Sequence, residues 1–376
     1  MNLTYYNPVR TITGAGSLRH LDALIRSLSA AGDHILVLAW DPCVYDNDVF
    51  AGLEKNHPDR IFRRRIFSAS NPTVNQLLRI YKETRDFAPS LILAAGGGSV
   101  MDIGKSLCCL YGRNIENADD IRNLIAEGGD VRPASAWIGI PTTSGTGSEV
   151  TCWATIWDPE QGKKRSLENH RNFAAAAIAD PVMTKELPLP LSVSTALDAV
   201  SHAAESYWAK SSNPVSQALA LYAIRTIMQN MDDLTAGKGS AREAMARGSM
   251  IAGLAFSNTK TTACHSISYP LTLRYGIPHG TAVSMLLAPV LALNKDSIKD
   301  PAPLLQALGV RSTDQLGDKI RSYLTRSGQA ASLSGWGVPA ADLPLLAGQG
   351  ITKGRADNNP VPLTQEIIET ILRSVF

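Results

Sequence analysis

Three apolar runs in the first half of the chain constrain the fold more than any other feature. HILVLAW spans 34–40, LILAAGGG spans 91–98 and AWIGIPTTS spans 136–144. Each has the length of a strand and is apolar at successive positions rather than at alternate ones. An alternating strand has one wet face, whereas a continuously apolar strand is buried on both. Helix-like stretches such as NPTVNQLLRIYKETRDF (71–87) separate the runs. Strands alternating with helices form a parallel sheet covered on both faces, whose ligands bind at the carboxyl ends of the strands.

The pattern changes near residue 181. DPVMTKELPLPLSVS is a proline-rich connection, and STALDAVSHAAESYWAK, NPVSQALALYAIRTIMQNM and SAREAMARGSMIAGLAFSNTK follow it. Apolar residues there recur at three and four, which is the helical period. The chain is therefore expected to form an α/β domain with a parallel sheet over 1–180 and an all-α domain over 181–376. Thr364 is a plausible N-cap for the last amphipathic stretch, LTQEIIETILRSVF.

The 376 residues carry a net charge of +2, which argues against a dedicated nucleic-acid partner. Five cysteines, Cys43, Cys108, Cys109, Cys152 and Cys264, are an odd number without a C-x-x-C pair. Reduced thiols and a cytoplasmic location are expected. MNLTYYNPVRTITG lacks the apolar core of a signal peptide, and no apolar run is long enough for a transmembrane helix, so no membrane partner is expected.

Two regions carry chemistry. The second apolar run ends in Gly96, Gly97, Gly98 and Ser99 and leads into the helix-like VMDIGKSLCCLY. Glycines let a backbone approach a ligand, and a helix start offers free N–H groups to a phosphate. A tight turn would read the same way, and the spacing is neither G-x-G-x-x-G nor a Walker loop. The third run ends in PTTSGTGSEVT, whose hydroxyls suit the same ligand or an ordinary polar loop. Farther on, Asp198 and His202 are four apart on one helical face, His265 lies in TTACHSISYP, and His279 follows in YGIPHG. One carboxylate and three imidazoles suit a divalent transition metal with an open position. On spacing alone Asp-x-x-x-His is a weak signal, and unrelated polar positions on helix faces would look the same.

Taken in order, GGGSVMDIGK, IPTTSGTGSEVT, DAVSHAAESYW and the run ending GIPHG resemble the iron-dependent alcohol dehydrogenase family. The resemblance extends from VRTITGAGSL to DNNPVPLTQEIIETIL. It implies the two-domain dehydroquinate synthase-like architecture, NAD(H) or NADP(H), a catalytic metal, a small aldehyde or alcohol substrate and a homo-oligomer. The metal ligands fall on Asp198, His202, His265 and His279, with Fe²⁺ expected and Zn²⁺ or another divalent ion open. The cofactor residues fall on Gly96, Gly97, Gly98, Ser99, Asp102, Thr142, Thr143 and Lys164. Chemically, such a metal is expected to polarise a carbonyl oxygen while nicotinamide reduces its carbon.

Three positions depart from the family pattern. Tyr269 stands where many members have a second histidine; it either relays a proton through water or packs. Thr259-Lys260-Thr261-Thr262 places a cation and three hydroxyls before His265, where simple alcohol dehydrogenases are apolar or glycine. The segment TKTTACHSISYPLTLRYGIPHG looks like the subgroup that reduces phosphonoacetaldehyde to 2-hydroxyethylphosphonate, with Lys260, Thr262 and Arg274 as substrate contacts. The alternative is a neutral short-chain aldehyde, alcohol or diol, with Lys260 in solvent or paired with a carboxylate such as Asp102. More remote readings are a dehydroquinate synthase-like cyclase and a non-catalytic relative. The third departure is LAWDPC: NAD is expected if Asp41 meets the ribose, and NADP becomes open if Trp40 does.

Overall fold

The computed structural model describes residues 4–128 and 131–376. Its contacts divide the chain into two units. One is Asn7–Thr143 with Ser148–Thr184; the other is Lys185–Phe376 with Ser144–Gly147 and the first residues up to Tyr6.

The first unit is built on a six-stranded sheet. Its strands are β1 (Arg10–Thr13), β2 (His34–Ala39), β3 (Ile61–Ile66), β4 (Leu91–Gly96), β5 (Ala136–Pro141) and, after a hairpin, β8 (Ala176–Ala179). The spatial order is β1-β8-β5-β4-β2-β3 and every pairing is parallel. The apolar runs are the inner strands β2, β4 and β5, whose residues are almost all fully buried. Two other strands look different. β3 reads IFRRRI and stays partly exposed, and charge on an edge discourages pairing with another chain. β8 is only AAIA, fully buried between β1 and β5. The hairpin of β6 (Trp153–Asp158) and β7 (Lys163–Glu168) is antiparallel and forms a separate two-stranded sheet.

Four main helices cover this unit: α1 (Leu21–Leu28), α2 (Val74–Thr84), α3 (Gly98–Leu110) and α4 (Ala118–Glu127). Thr73 and Gln76 form a reciprocal cap at the start of α2, which satisfies two backbone donors that the first turn would leave free. The sheet reverses direction between β2 and β4, because β2 leads to β3 on one side and β4 lies on the other. Ligands in such sheets bind at that switch point. The carboxyl ends of β2 and β4 lie side by side there, with Ala39 opposite Ala95 and Trp40 N–H donating to the Ala95 carbonyl at 3.1 Å.

The second unit is helical. Its principal helices are α5 (Leu189–Trp208), α6 (Pro214–Met228), α7 (Ala241–Thr259), α8 (Ala263–Tyr275), α9 (His279–Asn294), α10 (Thr313–Arg326) and α11 (Gln365–Ser374). From Ser192 to Trp208 every residue of α5 except Thr195 is buried, so α5 is the central helix of the unit. Its small alanines and serines let neighbours come close. A Cβ on Gly280 would stand 2.1 Å from the Ser194 carbonyl oxygen and 2.9 Å from Asp198 Cβ. Only glycine permits that approach, and it sets the start of α9, with His279, against Asp198. No described helix is long and apolar enough to cross a membrane.

Candidate active site

In the helical unit the structure brings Asp198, His202 and His265 together. One potential ligand atom from each lies within 4.8 Å of the others, and all three residues are buried. Asp198 Oδ1 is 3.4 Å from His265 Nε2, and Asp198 Oδ2 is 4.0 Å from His202 Nδ1. The two rings stack with centroids 4.3 Å apart. His279 stands next to them, half-buried, its ring edge-on to His265 at 5.4 Å. Tyr269, four residues after His265 in α8, lies parallel to the His279 ring at 5.9 Å.

Each imidazole has a support. His202 stacks on Phe256 at 4.2 Å, and its Nδ1 lies 3.2 Å from the Gly145 carbonyl. That carbonyl belongs to Ser144–Gly147, which packs with the helical unit. Gly147 has φ +56°, and a Cβ there would be 2.5 Å from Gly253 Cα, so the segment seats against α7 only with glycine. His265 Nδ1 meets the Glu205 carboxylate, which also accepts from Thr262 Oγ1 at 2.8 Å and Cys264 N–H at 2.6 Å. Sequence reading missed Glu205. The available signal was position: Asp198, His202 and Glu205 follow one another at four and three along α5, and so share one face.

The donor set fits a metal. Among the described residues, Asp198 Oδ1 and His265 Nε2 are buried without a hydrogen-bond partner. Leaving such atoms unpaired costs about 1–3 kcal/mol each, and a cation between them removes that cost. Nitrogen and carboxylate donors suit iron or zinc. The electrostatics agree. Burial would raise the Asp198 carboxyl, but the imidazoles of His202, His265 and His279 hold it well below the usual range. Burial lowers His202 to about 4, against the pull of Asp198. Burial also opposes charge on His265, but Glu205 and Asp198 outweigh it and raise the imidazole to about 10.

The expected substrate residues fall in different surroundings. Lys260 ends α7 in a left-handed conformation, φ +60° and ψ −174°, and is half-buried. Its backbone is fixed on both sides. Ser211 Oγ donates to the Thr259 carbonyl at 2.7 Å, and Asn358 Nδ2 donates to the carbonyls of Thr259 and Thr261 at 2.8 and 3.1 Å. Thr262 is fully buried, its hydroxyl accepting from Trp208 Nε1 at 2.9 Å and donating to Glu205. That hydroxyl thus serves the partner of His265 instead of standing open to a ligand. Arg274 is exposed in the last turn of α8.

In the sheet unit the glycine turn follows β4. Gly97 precedes α3, and a Cβ on Gly96 would be 2.4 Å from Val100 Cγ2. Gly98 and Ser99 begin α3, with Ser99 Oγ accepting from Asn71 N–H at 3.2 Å. Thr142 N–H donates to the Gly96 carbonyl at 3.0 Å, and Thr143 is within 3.5 Å of a Cβ placed on Gly97. Asp41, two residues after β2, caps the following turn, accepting from Cys43 N–H at 2.9 Å, which lowers its pKa. Asp102 accepts from Ser148 Oγ at 2.9 Å and Thr155 N–H at 3.0 Å; burial raises its pKa against the pull of Lys105 and Lys164. Lys164 itself lies over the Trp157 ring at 5.6 Å. Sequence reading also missed Lys105, which is fully buried and donates to Ser148 Oγ, Thr151 Oγ1 and the Trp153 carbonyl at 2.7–3.0 Å. It ties α3 to the segment that follows the glycines of 145–147.

A parallel-sheet unit with a glycine turn at its switch point and a helical unit with a buried Asp-His cluster define a metal-dependent oxidoreductase. The chain belongs to the iron-containing alcohol dehydrogenase family, whose two parts match residues 8–181 and 192–376. It is 32% identical to 1,3-propanediol dehydrogenase of Klebsiella pneumoniae over 297 residues, 76% of either chain. It is 30% identical to phosphonoacetaldehyde reductase of Streptomyces viridochromogenes over 314 residues, 80% of either chain. Among solved structures it superposes on sulfoacetaldehyde reductase from Bifidobacterium kashiwanohense in complex with NAD⁺. That match has TM-score 0.86 and 26% identity, and covers 100% of this chain and 99% of the other.

Proposed function

We propose that the protein reduces a small aldehyde with an anionic tail, phosphonoacetaldehyde, to 2-hydroxyethylphosphonate, using NAD(P)H and a divalent metal. Lys260 carries the substrate assignment. A residue with a side chain holds a left-handed backbone conformation where glycine would sit without strain. A lysine kept at such a cost five residues before a metal ligand is explained by a ligand that needs its charge. Phosphonates are met by cations and hydrogen-bond donors. The two similar reductases named for phosphonoacetaldehyde and sulfoacetaldehyde act on aldehydes of this kind.

When bound, a metal at Asp198, His202, His265 and His279 would supply Lewis acidity to a carbonyl oxygen, and a nicotinamide cofactor whose phosphates rest on the glycine turn would supply hydride. The chain's own part is positioning. The Gly145 carbonyl and the Phe256 ring fix His202, and Tyr269 lies against His279. A tyrosine hydroxyl is a poor base near neutrality, so the part open to Tyr269 in proton movement is that of a donor through water. Gly96–Ser99, Thr142, Thr143 and Lys164 hold the nicotinamide cofactor. An ionised Asp41 just beyond β2 repels a 2′-phosphate and favours NADH.

The test is a substrate panel with NADH and NADPH, setting phosphonoacetaldehyde against neutral aldehydes of similar length. Lys260→Ala should lower kcat/KM for the anionic substrate and leave neutral ones nearly unchanged. The likeness to 1,3-propanediol dehydrogenase favours a neutral substrate as the second reading. Equal turnover of both substrate classes, with equal effects of Lys260→Ala, would establish that reading instead.

A further inference from the structure

We propose that Glu205 is a positioning residue that selects which nitrogen of His265 faces the metal, and that Thr262 and Trp208 hold Glu205 in place. The inference rests on the metal reading above. It starts from an electrostatic problem: Glu205 is fully buried, and a buried carboxylate is costly unless its lone pairs are satisfied. Here Thr262 Oγ1 and Cys264 N–H donate to Oε1, and His265 Nδ1 meets Oε2. Two donors already point at Oε1, so the carboxylate is placed as an acceptor, and the ring completes the set with its hydrogen on Nδ1.

The other nitrogen then follows. A ligand imidazole has to be neutral, so metal binding would release the Nε2 proton; with hydrogen kept on Nδ1, the lone pair is then on Nε2. His265 Nε2 is buried without a hydrogen-bond partner and lies 3.4 Å from Asp198 Oδ1. The ring is therefore held between two carboxylates that compete for its hydrogen. Had Asp198 taken it, Nε2 would be a donor and useless as a ligand. Glu205 is the nearer of the two, and it keeps the hydrogen on the far side. Partners that hold a ligand imidazole in this way set its tautomer and orientation. One helix, α5, supplies Asp198 and His202 as ligands and, one turn on, the residue that orients the ligand on α8.

Thr262 extends the arrangement. Its hydroxyl hydrogen goes to Glu205 Oε1, and its oxygen accepts from Trp208 Nε1 at 2.9 Å. Trp208 cannot accept, so the direction Trp208 to Thr262 to Glu205 is fixed throughout. Thr262 follows Lys260 by two residues, and the segment proposed to read the substrate is thereby tied to the ligand shell.

The experiment uses full-length protein stripped of metal. Binding of Fe²⁺ is measured anaerobically against a competing chelator, and Co²⁺ is followed by its visible absorption. Glu205→Gln keeps the shape but presents an amide. It should raise the Fe²⁺ dissociation constant about 10–100-fold and shift the Co²⁺ bands, while the melting temperature of the metal-free protein and NADH binding stay near wild type. Thr262→Val should weaken Fe²⁺ in the same direction, and Thr262→Ser should restore it. Wild-type affinity and spectrum in Glu205→Gln would overturn the proposal. If that variant does not fold, wild-type affinity in Thr262→Val overturns it. Failure of the parent protein to bind either ion would instead refute the metal site itself.

Discussion

Replacing Lys260 with glycine should make the protein more stable and less selective at once. The backbone of Lys260 has φ +60° and ψ −174°, a region that residues with a Cβ enter at a cost of about 1–3 kcal/mol. Glycine removes that cost but orders a more flexible unfolded chain, which gives back about 0.5–1 kcal/mol. Because the hydrogen bonds from Ser211 and Asn358 hold the neighbouring carbonyls, the local backbone has no easy way to relax. Lys260→Gly should therefore exceed Lys260→Ala in stability by about 0.5–2 kcal/mol. At about 2–4 °C per kcal/mol for a domain of this size, the difference is readable in a thermal melt. Activity should follow charge instead of strain. Loss of one charge-assisted hydrogen bond costs about 1.5–3 kcal/mol, which is about 10–150-fold in kcat/KM. Both variants should lose that factor on phosphonoacetaldehyde and keep wild-type turnover of a neutral aldehyde. Urea unfolding, melts and the two substrates measured on both variants complete the test. If the glycine variant is no more stable than the alanine variant, the strain argument is wrong. If both substrates suffer alike, the charge argument is wrong.

Other outcomes follow from the same geometry. Chelation should lower the stability of the wild-type helical unit by about 2.7 kcal/mol for metal held at a hundred times its Kd, and should do nothing to Asp198→Ala; an identical response in both, read by calorimetry, would remove Asp198 from the site. Glu149 is buried, and burial raises its pKa from 4.5 to about 7 against the pull of Lys105. Its folded-state pKa is the higher, so the folded form binds the proton more tightly, and stability present below pH 4.5 is lost as pH rises toward 7. The loss is roughly 3 kcal/mol at 1.36 kcal/mol per unit. Urea midpoints of Glu149→Gln should be flat over that window; a slope equal to wild type would contradict the assignment. Gly280→Ala should destabilise the helical unit by several kcal/mol, since a Cβ meets the Ser194 carbonyl. A wild-type melting temperature in that variant would show that α9 can shift.

What the sequence makes legible depends on where each element sits. β2, β4 and β5 are buried on both faces, and burial on both faces writes continuous apolar runs. β3 is an edge, so IFRRRI reads as a basic surface stretch. β8 is buried, but AAIA is short and has a single β-branched residue, so nothing marks it as a strand. The strands of the hairpin β6–β7 have one wet face and polar ends, which single-sequence reading does not separate from loop. At the Asp-His cluster the residues are legible because motif and helical spacing coincide. Glu205 is not, because a glutamate before Ser-Tyr-Trp reads as an exposed helix residue until Thr262, Cys264 and His265 are seen to converge on it. The left-handed turn at Lys260 is invisible in principle, since no rule assigns that conformation to lysine.

The four residues Ser144–Gly147 belong to the helical unit although the chain on both sides of them belongs to the sheet unit. During synthesis, the carbonyl that holds His202 is made 57 residues before His202 itself. A fragment starting at Lys185 would contain the Asp198-His202-His265 cluster and yet lack the carbonyl that holds one of its imidazoles. Dissecting this enzyme into halves is therefore a poor route to an isolated metal-binding module. A permuted or fused version would have to carry the Ser144–Gly147 turn along with the helices.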